Sequence, residues 1–289
     1  MPQPNPGLPT LSPDLFRRFC AFIEARFGLV YGAETAFLVE RRLLQRMQSL
    51  GLSSFEEYFF YLVAPSHTPL ADFSEDSEEA ELFELLSTRE TYFFREKYQL
   101  DVFRDVLLPT LEQSRPRKNR LSVWSAGCAS GEETYSIAIE VVESGLFAGW
   151  DAQIVGSDLS ASALRIARHG VYGPSSFRET TPERQERFFR PLAGRWQVLE
   201  SVRKLCSFVR LNLMSLDFSA VGGPFDAIFC RNVIIYFDRK KRAEFIERLC
   251  DGLAPGGYLF LGHAETLLDE RTPLETTRLG REIVYRKRR

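Results

Sequence analysis

Residues 121–140 read LSVWSAGCASGEETYSIAIE, and this stretch predicts the fold of the chain. An apolar strand pattern over 121–124 runs into a turn of small residues that starts at Gly127, and a helical pattern follows from Glu132. A strand, a glycine-rich turn and a helix in this order form the nucleotide pocket of doubly wound α/β domains. We therefore predict a parallel α/β sheet with a nucleotide-type pocket at 127–133.

The charges at this junction indicate which nucleotide fits. Glu132 and Glu133 stand where the helix begins, whereas a phosphate ligand needs a positive helix end. The glycine spacing is neither the dinucleotide fingerprint nor the P-loop. S-adenosylmethionine carries an ammonium and a sulfonium but no phosphate, so it suits two carboxylates. The alternative that both glutamates only complement the helix dipole stays open at this point.

Composition sets broad limits on the class of protein. The 289 residues carry a net charge of −2 and are 44% hydrophobic, which is typical of a globular protein of one or two domains without a general attraction to nucleic acid. No apolar run is long enough to span a membrane and no signal-peptide pattern is present, so we expect a cytoplasmic protein, with monomer as the default state. The five cysteines and three histidines are scattered, so we expect reduced thiols and no metal site.

The pattern changes along the chain from helical to alternating. Residues 1–88 predict a helical N-terminal domain with a linker, and residues 89–289 predict the sheet domain, in which 95–112 form a helix. Its candidate strands are 121–125, 153–157, 208–211, Phe225–Cys230 and 257–262, with an antiparallel edge from 258–262 and 282–286. Residues 170–207 interrupt the alternation and predict an inserted β-subdomain, with a helix at 182–189 and β-segments at 196–199 and 202–205.

Polar residues follow two of the predicted strands. Asp158 ends the second strand, where an acidic residue can bind ribose hydroxyls or can instead cap the next helix. Arg231 and Asn232 end the apolar run Phe225–Cys230, and two hydrophilic residues there need partners or a ligand. Tyr236 follows Asn232 at a spacing that differs from Asn-Pro-Pro-Tyr, which disfavours methylation of a base amine.

Five blocks, TYFFRE, WSAGCASGEETYSIAIE, GSDLSASALRIARHGVY, FDAIFCRNVIIYFD and GGYLFLGHAE, together resemble the chemotaxis receptor glutamate methyltransferases of the CheR type. The resemblance implies an all-α N-terminal domain before a Rossmann-like S-adenosylmethionine-dependent methyltransferase domain with a small inserted β-subdomain. It implies transfer of a methyl group to glutamate carboxylates of chemoreceptors, which leaves glutamyl methyl esters and S-adenosylhomocysteine.

The resemblance also implies site residues by motif position. The cofactor-binding set is Arg89, Thr91, Arg95, Gly127, Glu133, Asp158, Asn212, Leu213, Arg231 and Asn232. Arg95 and Tyr236 are expected nearest the transferred methyl group, where they orient the substrate carboxylate. Of the two glutamates, Glu133 is expected at the methionine ammonium, and Glu132 is left to the helix dipole.

The expected partners are the cytoplasmic helices of methyl-accepting receptors, with neither nucleic acid nor membrane insertion. Arg41, Arg42 and Arg46 lie close together on the second predicted helix and are candidates for docking these acidic helices, although an ordinary solvated face is the alternative. The family often has Asn where this chain has Arg89, and this departure motivates a second hypothesis, a non-catalytic receptor-binding adaptor. A methyltransferase acting on another protein or on nucleic acid is the third.

Overall fold

The computed structural model describes residues 9–64, 77–87, 90–114, 119–215, 217–237, 239–267 and 272–288. The chain divides into two compact units. The N-terminal unit comprises Met1–Thr88 with Tyr236–Asp238, and the sheet unit comprises Arg89–Ile235 with Arg239–Arg289. No helix in the described ranges is long and apolar enough to cross a membrane.

The N-terminal unit contains four α-helices: α1 (Pro13–Phe27), α2 (Ala36–Ser49), α3 (Phe55–Leu62) and α4 (Glu78–Leu86). The side chains of Ser12, Ser54 and Ser77 cap α1, α3 and α4 by accepting a backbone N–H of the first turn. The buried apolar residues of α1 recur at helical spacing, at Leu15, Phe19, Ile23 and Phe27. This one-sided pattern explains why the segment forms an amphipathic helix against the core of the unit.

The sheet unit contains a seven-stranded sheet in the order β6-β2-β1-β7-β8-β10-β9. Its strands are β1 (Arg120–Ala126), β2 (Asp151–Asp158), β6 (Cys206–Arg210), β7 (Phe225–Cys230), β8 (Leu253–Leu261), β9 (Leu274–Leu279) and β10 (Glu282–Lys287). The first five strands in the order are parallel, and β10 runs antiparallel to both β8 and β9. Every residue of β7 is buried, as expected for a central strand covered on both faces. The predicted α/β fold is confirmed.

Helices connect and cover these strands. The segment before β1 consists of α5 (Lys97–Val102), a π-helical stretch (Phe103–Leu107) and α6 (Leu108–Ser114). The remaining helices are α7 (Glu132–Ser144), α8 (Ala161–His169), α9 (Pro182–Phe188), α10 (Glu200–Arg203) and α11 (Arg239–Gly252). The core is aromatic where the π-helical stretch meets the sheet: the rings of Phe229 and Phe260 stack at 4.4 Å, and Phe103 packs edge-on to Phe229.

A second, three-stranded antiparallel sheet lies between α8 and β6 in the sequence. It consists of β3 (Val171–Tyr172), β4 (Phe189–Leu192) and β5 (Arg195–Val198), in the order β3-β5-β4. The prediction of a β-segment at 202–205 was wrong, because Glu200–Arg203 form α10. The prediction also missed β9, whose residues are mostly half-exposed and polar.

Hydrogen bonds join the base of this small sheet to the glycine-rich turn. The Tyr172 hydroxyl donates to the Ser130 carbonyl at 2.7 Å, and the Ser176 hydroxyl donates to Glu132 at 2.9 Å. The Phe93 N–H donates to the Ser176 carbonyl at 2.9 Å. The base of the insertion is therefore held directly against the predicted nucleotide pocket.

Candidate active site

The glycine-rich turn leaves β1 at the carboxyl edge of the parallel sheet. The N–H groups of Gly127 and Cys128 both donate to the Ser157 carbonyl, at 2.8 and 2.9 Å, which ties the turn to the end of β2. Gly127 has φ +80°, and a Cβ there would lie 2.6 Å from Cγ2 of Val233. Glycine is therefore required at this position for both backbone conformation and space.

Asp158 ends β2 and holds the other side of the turn. Its Oδ2 accepts the Ala129 N–H at 2.8 Å, and its Oδ1 accepts the Ser160 N–H at 2.9 Å. Ala129 has φ +46°, a conformation that residues other than glycine rarely adopt without such support. The side-chain cap of α8 is Ser160, which accepts the Ala163 N–H at 3.0 Å. Asp158 thus fixes both the turn and the start of α8, and ribose binding stays a prediction for this carboxylate.

The two glutamates of the turn have different surroundings. Glu132 is 2% exposed and accepts hydrogen bonds from the hydroxyls of Ser130 and Ser176, at 2.8 and 2.9 Å. Burial raises the pKa of Glu132, although these hydroxyls partly oppose the shift. Its role therefore extends beyond complementing the helix dipole, since it joins α7 to the inserted segment.

Glu133 lies at the edge of the sheet and is partly accessible. Its Oε1 accepts a hydrogen bond from the Ser125 hydroxyl at 2.7 Å, and its Oε2 accepts a hydrogen bond from the Nε–H of Arg231 at 2.7 Å. Its side chain is 13% exposed. A carboxylate oxygen can accept more than one hydrogen bond, so these two partners leave room for an ammonium donor.

Arg231 follows β7, and its guanidinium is only 2% exposed. Besides Glu133 it contacts the carbonyl of Arg95, to which Nη1 and Nη2 each donate at 2.8 Å, and Oε1 of Gln99, at 3.4 Å from Nη1. Arg231 was predicted to bind the cofactor; its side chain contacts these protein groups, and cofactor binding stays a prediction for it. Sequence reasoning missed Gln99, because its partner Arg231 is 132 positions away, and it missed Ser125, which was read only as part of the β1 strand pattern.

Arg95 lies in a turn at the start of the sheet unit. Phe94 and Glu96 on either side have φ values of +59° and +52°. The Arg95 side chain is partly exposed and donates from Nη1 to the carbonyl of Glu90 at 2.6 Å. Thr91, four residues earlier, is also partly exposed.

The remaining predicted cofactor residues lie after β6 and β7. Asn212 is 8% exposed and its Oδ1 accepts the Met214 N–H at 3.0 Å, while Leu213 begins a short 3₁₀ turn. Asn232 has φ +59°, and its N–H donates to Oε2 of Glu265 at 2.8 Å. Such a side-chain acceptor stabilises the left-handed backbone conformation at Asn232.

Glu265 is a buried carboxylate that sequence reasoning did not assign. Besides Asn232, its oxygens accept N–H groups of Gly262 and Ile235, at 2.7 and 3.2 Å. Burial raises its pKa, and these backbone donors oppose the shift. The signal for it was present at the end of the block GGYLFLGHAE, where an acidic residue closely follows a buried strand.

The predicted docking arginines lie on α2 in the N-terminal unit. Arg46 donates to the buried carboxylate of Glu78 from both Nε and Nη2, the latter at 2.7 Å, and Arg42 donates to the Leu86 carbonyl at 2.7 Å. The hydrogen bond to Glu78 is also the main reason that the pKa of Arg46 is raised. Arg41 is exposed. The structure therefore gives Arg46 an internal role and leaves Arg41 as the better candidate for docking.

Two predicted residues fall outside the described part of the structure. They are Arg89 and the side chain of Tyr236. Their predicted roles in cofactor binding and in orienting the substrate stay predictions.

The donor set at the carboxyl edge of β1 and β2 fits S-adenosylmethionine. Glu133 and Asp158 present carboxylates at the ends of neighbouring parallel strands, where α/β sheets bind nucleosides. Carboxylates complement an ammonium and accept ribose hydroxyls, whereas they would repel a diphosphate. Glu133 would hold the ammonium and Asp158 the ribose.

Comparison with known proteins agrees with this fit. Residues 89–283 match the family model described as CheR methyltransferase, SAM binding domain, and residues 14–75 match its all-alpha domain. The chain is 34% identical over 284 residues to a chemotaxis protein methyltransferase of Vibrio parahaemolyticus, and the aligned region covers 96% of this chain and 98% of that protein. It is 36% identical over 279 residues to chemotaxis protein methyltransferase 1 of Pseudomonas aeruginosa, covering 94% and 97%. The sheet unit is thus an S-adenosylmethionine-dependent methyltransferase domain, and the chain belongs to the CheR methyltransferase family.

Proposed function

We propose that this enzyme transfers the methyl group of S-adenosylmethionine to glutamate carboxylates on the cytoplasmic helices of chemoreceptors, giving glutamyl methyl esters. The names of its relatives, chemotaxis protein methyltransferases, support a role in chemotaxis. One observation carries the assignment of the site: Arg231 joins Glu133, the proposed ammonium partner, to the turn that bears Arg95. The proposed cofactor and substrate residues thus belong to one connected group.

The proposed reaction needs no nucleophile from the protein. The described cysteine thiols have raised pKa values, chiefly because burial disfavours the thiolate: Cys20, at about 11, and Cys128, Cys206, Cys230 and Cys250. They are therefore poor nucleophiles at neutral pH. A substrate glutamate with a pKa of about 4.3 is already ionised there and needs no general base.

The chain's own contribution is binding and alignment. When bound, S-adenosylmethionine supplies an electrophilic methyl group on a sulfonium. We propose that Arg95, together with Tyr236, orients the incoming carboxylate, because a guanidinium can hold both carboxylate oxygens in a fixed plane. Alignment of this kind is the main requirement of an in-line transfer between two bound groups.

The test is transfer of radiolabelled methyl from S-adenosylmethionine to receptor-containing membranes. We expect label on the receptor that mild alkali releases as methanol, because esters hydrolyse in base whereas methylated amines do not. Label that resists alkali, or label on nucleic acid, would contradict the substrate assignment. Binding to receptor without any transfer would instead favour the adaptor hypothesis.

The role of Arg95 is tested in the same assay with Arg95→Ala. We expect kcat to fall about 100-fold, the usual scale for loss of alignment. Arg165→Ala serves as the matched control, since Arg165 is exposed on α8. A folded Arg95→Ala enzyme with normal turnover would exclude the orienting role.

A further inference from the structure

The turn that carries Arg95 has an unusual backbone. Phe94 and Glu96, on either side of Arg95, both have φ in the left-handed region, at +59° and +52°. Bulky residues adopt this region only where surrounding contacts enforce it. The direction of the Arg95 side chain therefore depends on whatever holds the turn.

Two groups hold the turn at Phe94. Its N–H donates to the hydroxyl of Ser136, on α7, at 2.9 Å in a buried environment. Its ring lies against the guanidinium of Arg184, with 4.4 Å between Cζ and the ring centroid. Both contacts fix Phe94, but neither touches the peptide that follows Arg95.

That peptide is held by Arg231. Both terminal nitrogens of its guanidinium donate to the Arg95 carbonyl at 2.8 Å, while Nε donates to Glu133 at 2.7 Å. The guanidinium is 2% exposed, so these hydrogen bonds are shielded from water. One buried side chain thus connects the carboxylate after β1 to the backbone of the Arg95 turn.

We propose that Arg231 is a positioning residue for methyl transfer: it sets the distance between Glu133 and the Arg95 turn. This inference rests on the proposed function, in which Glu133 and Arg95 serve the two reactants. It is an alternative to the prediction that the Arg231 side chain binds the cofactor, and the variants below distinguish the two. Arginine is required because its planar fork donates in two directions at once, whereas the lysine ammonium is a single point charge.

Arg231→Lys separates positioning from charge. Lysine keeps a cation that can reach Glu133, but it cannot also make the paired contact with the Arg95 carbonyl. We expect kcat for receptor methylation to fall about 100-fold. The Kd for S-adenosylhomocysteine should rise less than about fivefold, because Glu133 keeps its charge and a cationic neighbour. Arg165→Lys is the matched control and should behave as wild type.

A double variant tests whether Arg231 acts through Arg95. If it does, Arg95→Lys combined with Arg231→Lys should lose no more than about threefold in kcat beyond the more impaired single variant. Multiplicative losses would show two independent roles and overturn the proposal. A rise in Kd as large as the fall in kcat would also overturn it, since that result identifies a direct cofactor ligand.

Circular dichroism and denaturant unfolding verify that each variant folds. If Arg231→Lys does not fold, the double variant with both Glu133→Gln and Arg231→Gln is compared with Glu133→Gln alone. The double variant removes both charges of this pair, so it leaves neither of them buried and unpaired. In this comparison too, a large fall in kcat with little change in the Kd for S-adenosylhomocysteine supports the positioning role. Wild-type enzyme that binds S-adenosylhomocysteine but does not methylate receptor would refute the proposed function itself. If only the positioning role is wrong, wild-type enzyme still methylates receptor normally and only the variants deviate from the expected results.

Discussion

Glu132 and Glu133 are adjacent in sequence, yet their surroundings predict opposite results when each is changed to glutamine. Glutamine keeps the shape of the side chain and removes its charge. The partly accessible Glu133 carboxylate is the proposed ammonium partner, whereas the buried Glu132 carboxylate meets only hydroxyl donors among the hydrogen bonds described above. The comparison therefore isolates charge at two neighbouring positions of one helix.

The magnitudes follow from these contacts. A charge-assisted hydrogen bond contributes about 1.5–3 kcal/mol, so Glu133→Gln should raise the Kd of the cofactor about 10- to 100-fold. For Glu132→Gln we expect a Kd within about threefold of wild type. The hydroxyls of Ser130 and Ser176 can reorient to accept from an amide. In addition, burial raises the pKa of Glu132, so a neutral side chain suits its surroundings.

Isothermal titration calorimetry with S-adenosylhomocysteine measures both constants. This product retains the methionine ammonium and has no methyl group to transfer, so binding is measured without turnover. Unfolding in urea checks that both variants are folded. Equal losses of affinity, or a larger loss for Glu132→Gln, would refute the division of roles between the two carboxylates.

Three further predictions concern the turn, the pH response and the docking surface. Gly127→Ala should destabilise the protein by about 2 kcal/mol more than Gly145→Ala in urea unfolding. Both glycines have positive φ, but of the two only a Cβ at Gly127 would meet another atom. Equal losses of stability would contradict this reasoning. Because the pKa of Glu132 is raised from its ordinary 4.5, its contribution to stability is present below that value and is lost as pH rises through the raised pKa. As pH rises from 4.5 through the raised pKa, the stability of Glu132→Gln should therefore fall less than that of wild type. Urea unfolding at several pH values measures this, and the same dependence of stability on pH in both proteins would argue against a raised pKa. Arg41→Glu should slow receptor methylation about 3- to 10-fold without changing the Kd for S-adenosylhomocysteine, and Arg165→Glu should change neither; an unchanged rate would exclude Arg41 from docking.

The fold followed from local patterns that the sequence displays. The glycine-rich turn predicted the β1–α7 junction, because the small residues and the change from strand to helical spacing lie within 20 consecutive residues. The apolar run of β7 is buried throughout and was recognised for the same reason. In contrast, β9 reads Leu-Glu-Thr-Thr-Arg-Leu, and an edge strand with one half-solvated face gives only a weak apolar signal. The apolar residues at 202 and 205 suggested a strand, but Val202 is the buried residue of a short helix.

The candidate site was predictable in its residue types but not in its contacts. Asp158 was singled out from its place at the end of a strand and Glu133 from its place at the start of a helix, and their roles stay predictions. The ion pair between Glu133 and Arg231 joins residues 98 positions apart, and no spacing rule indicates it. The bond between Arg46 and Glu78 is similar, since a charged residue on a helix looks solvated until its partner is known.

The attachment of the small sheet limits how this enzyme can be altered. The hydrogen bonds from Tyr172 and Ser176 to the glycine-rich turn are formed by the base of the insertion, whereas the β4–β5 hairpin at its other end is largely exposed. Exchange of the hairpin alone keeps the acceptors at Ser130 and Glu132 satisfied. A graft that begins before Tyr172 removes both donors and leaves the buried Glu132 carboxylate with the Ser130 hydroxyl but without that of Ser176. The hairpin can therefore be exchanged without disturbing the glycine-rich turn, provided that residues 172–176 are retained.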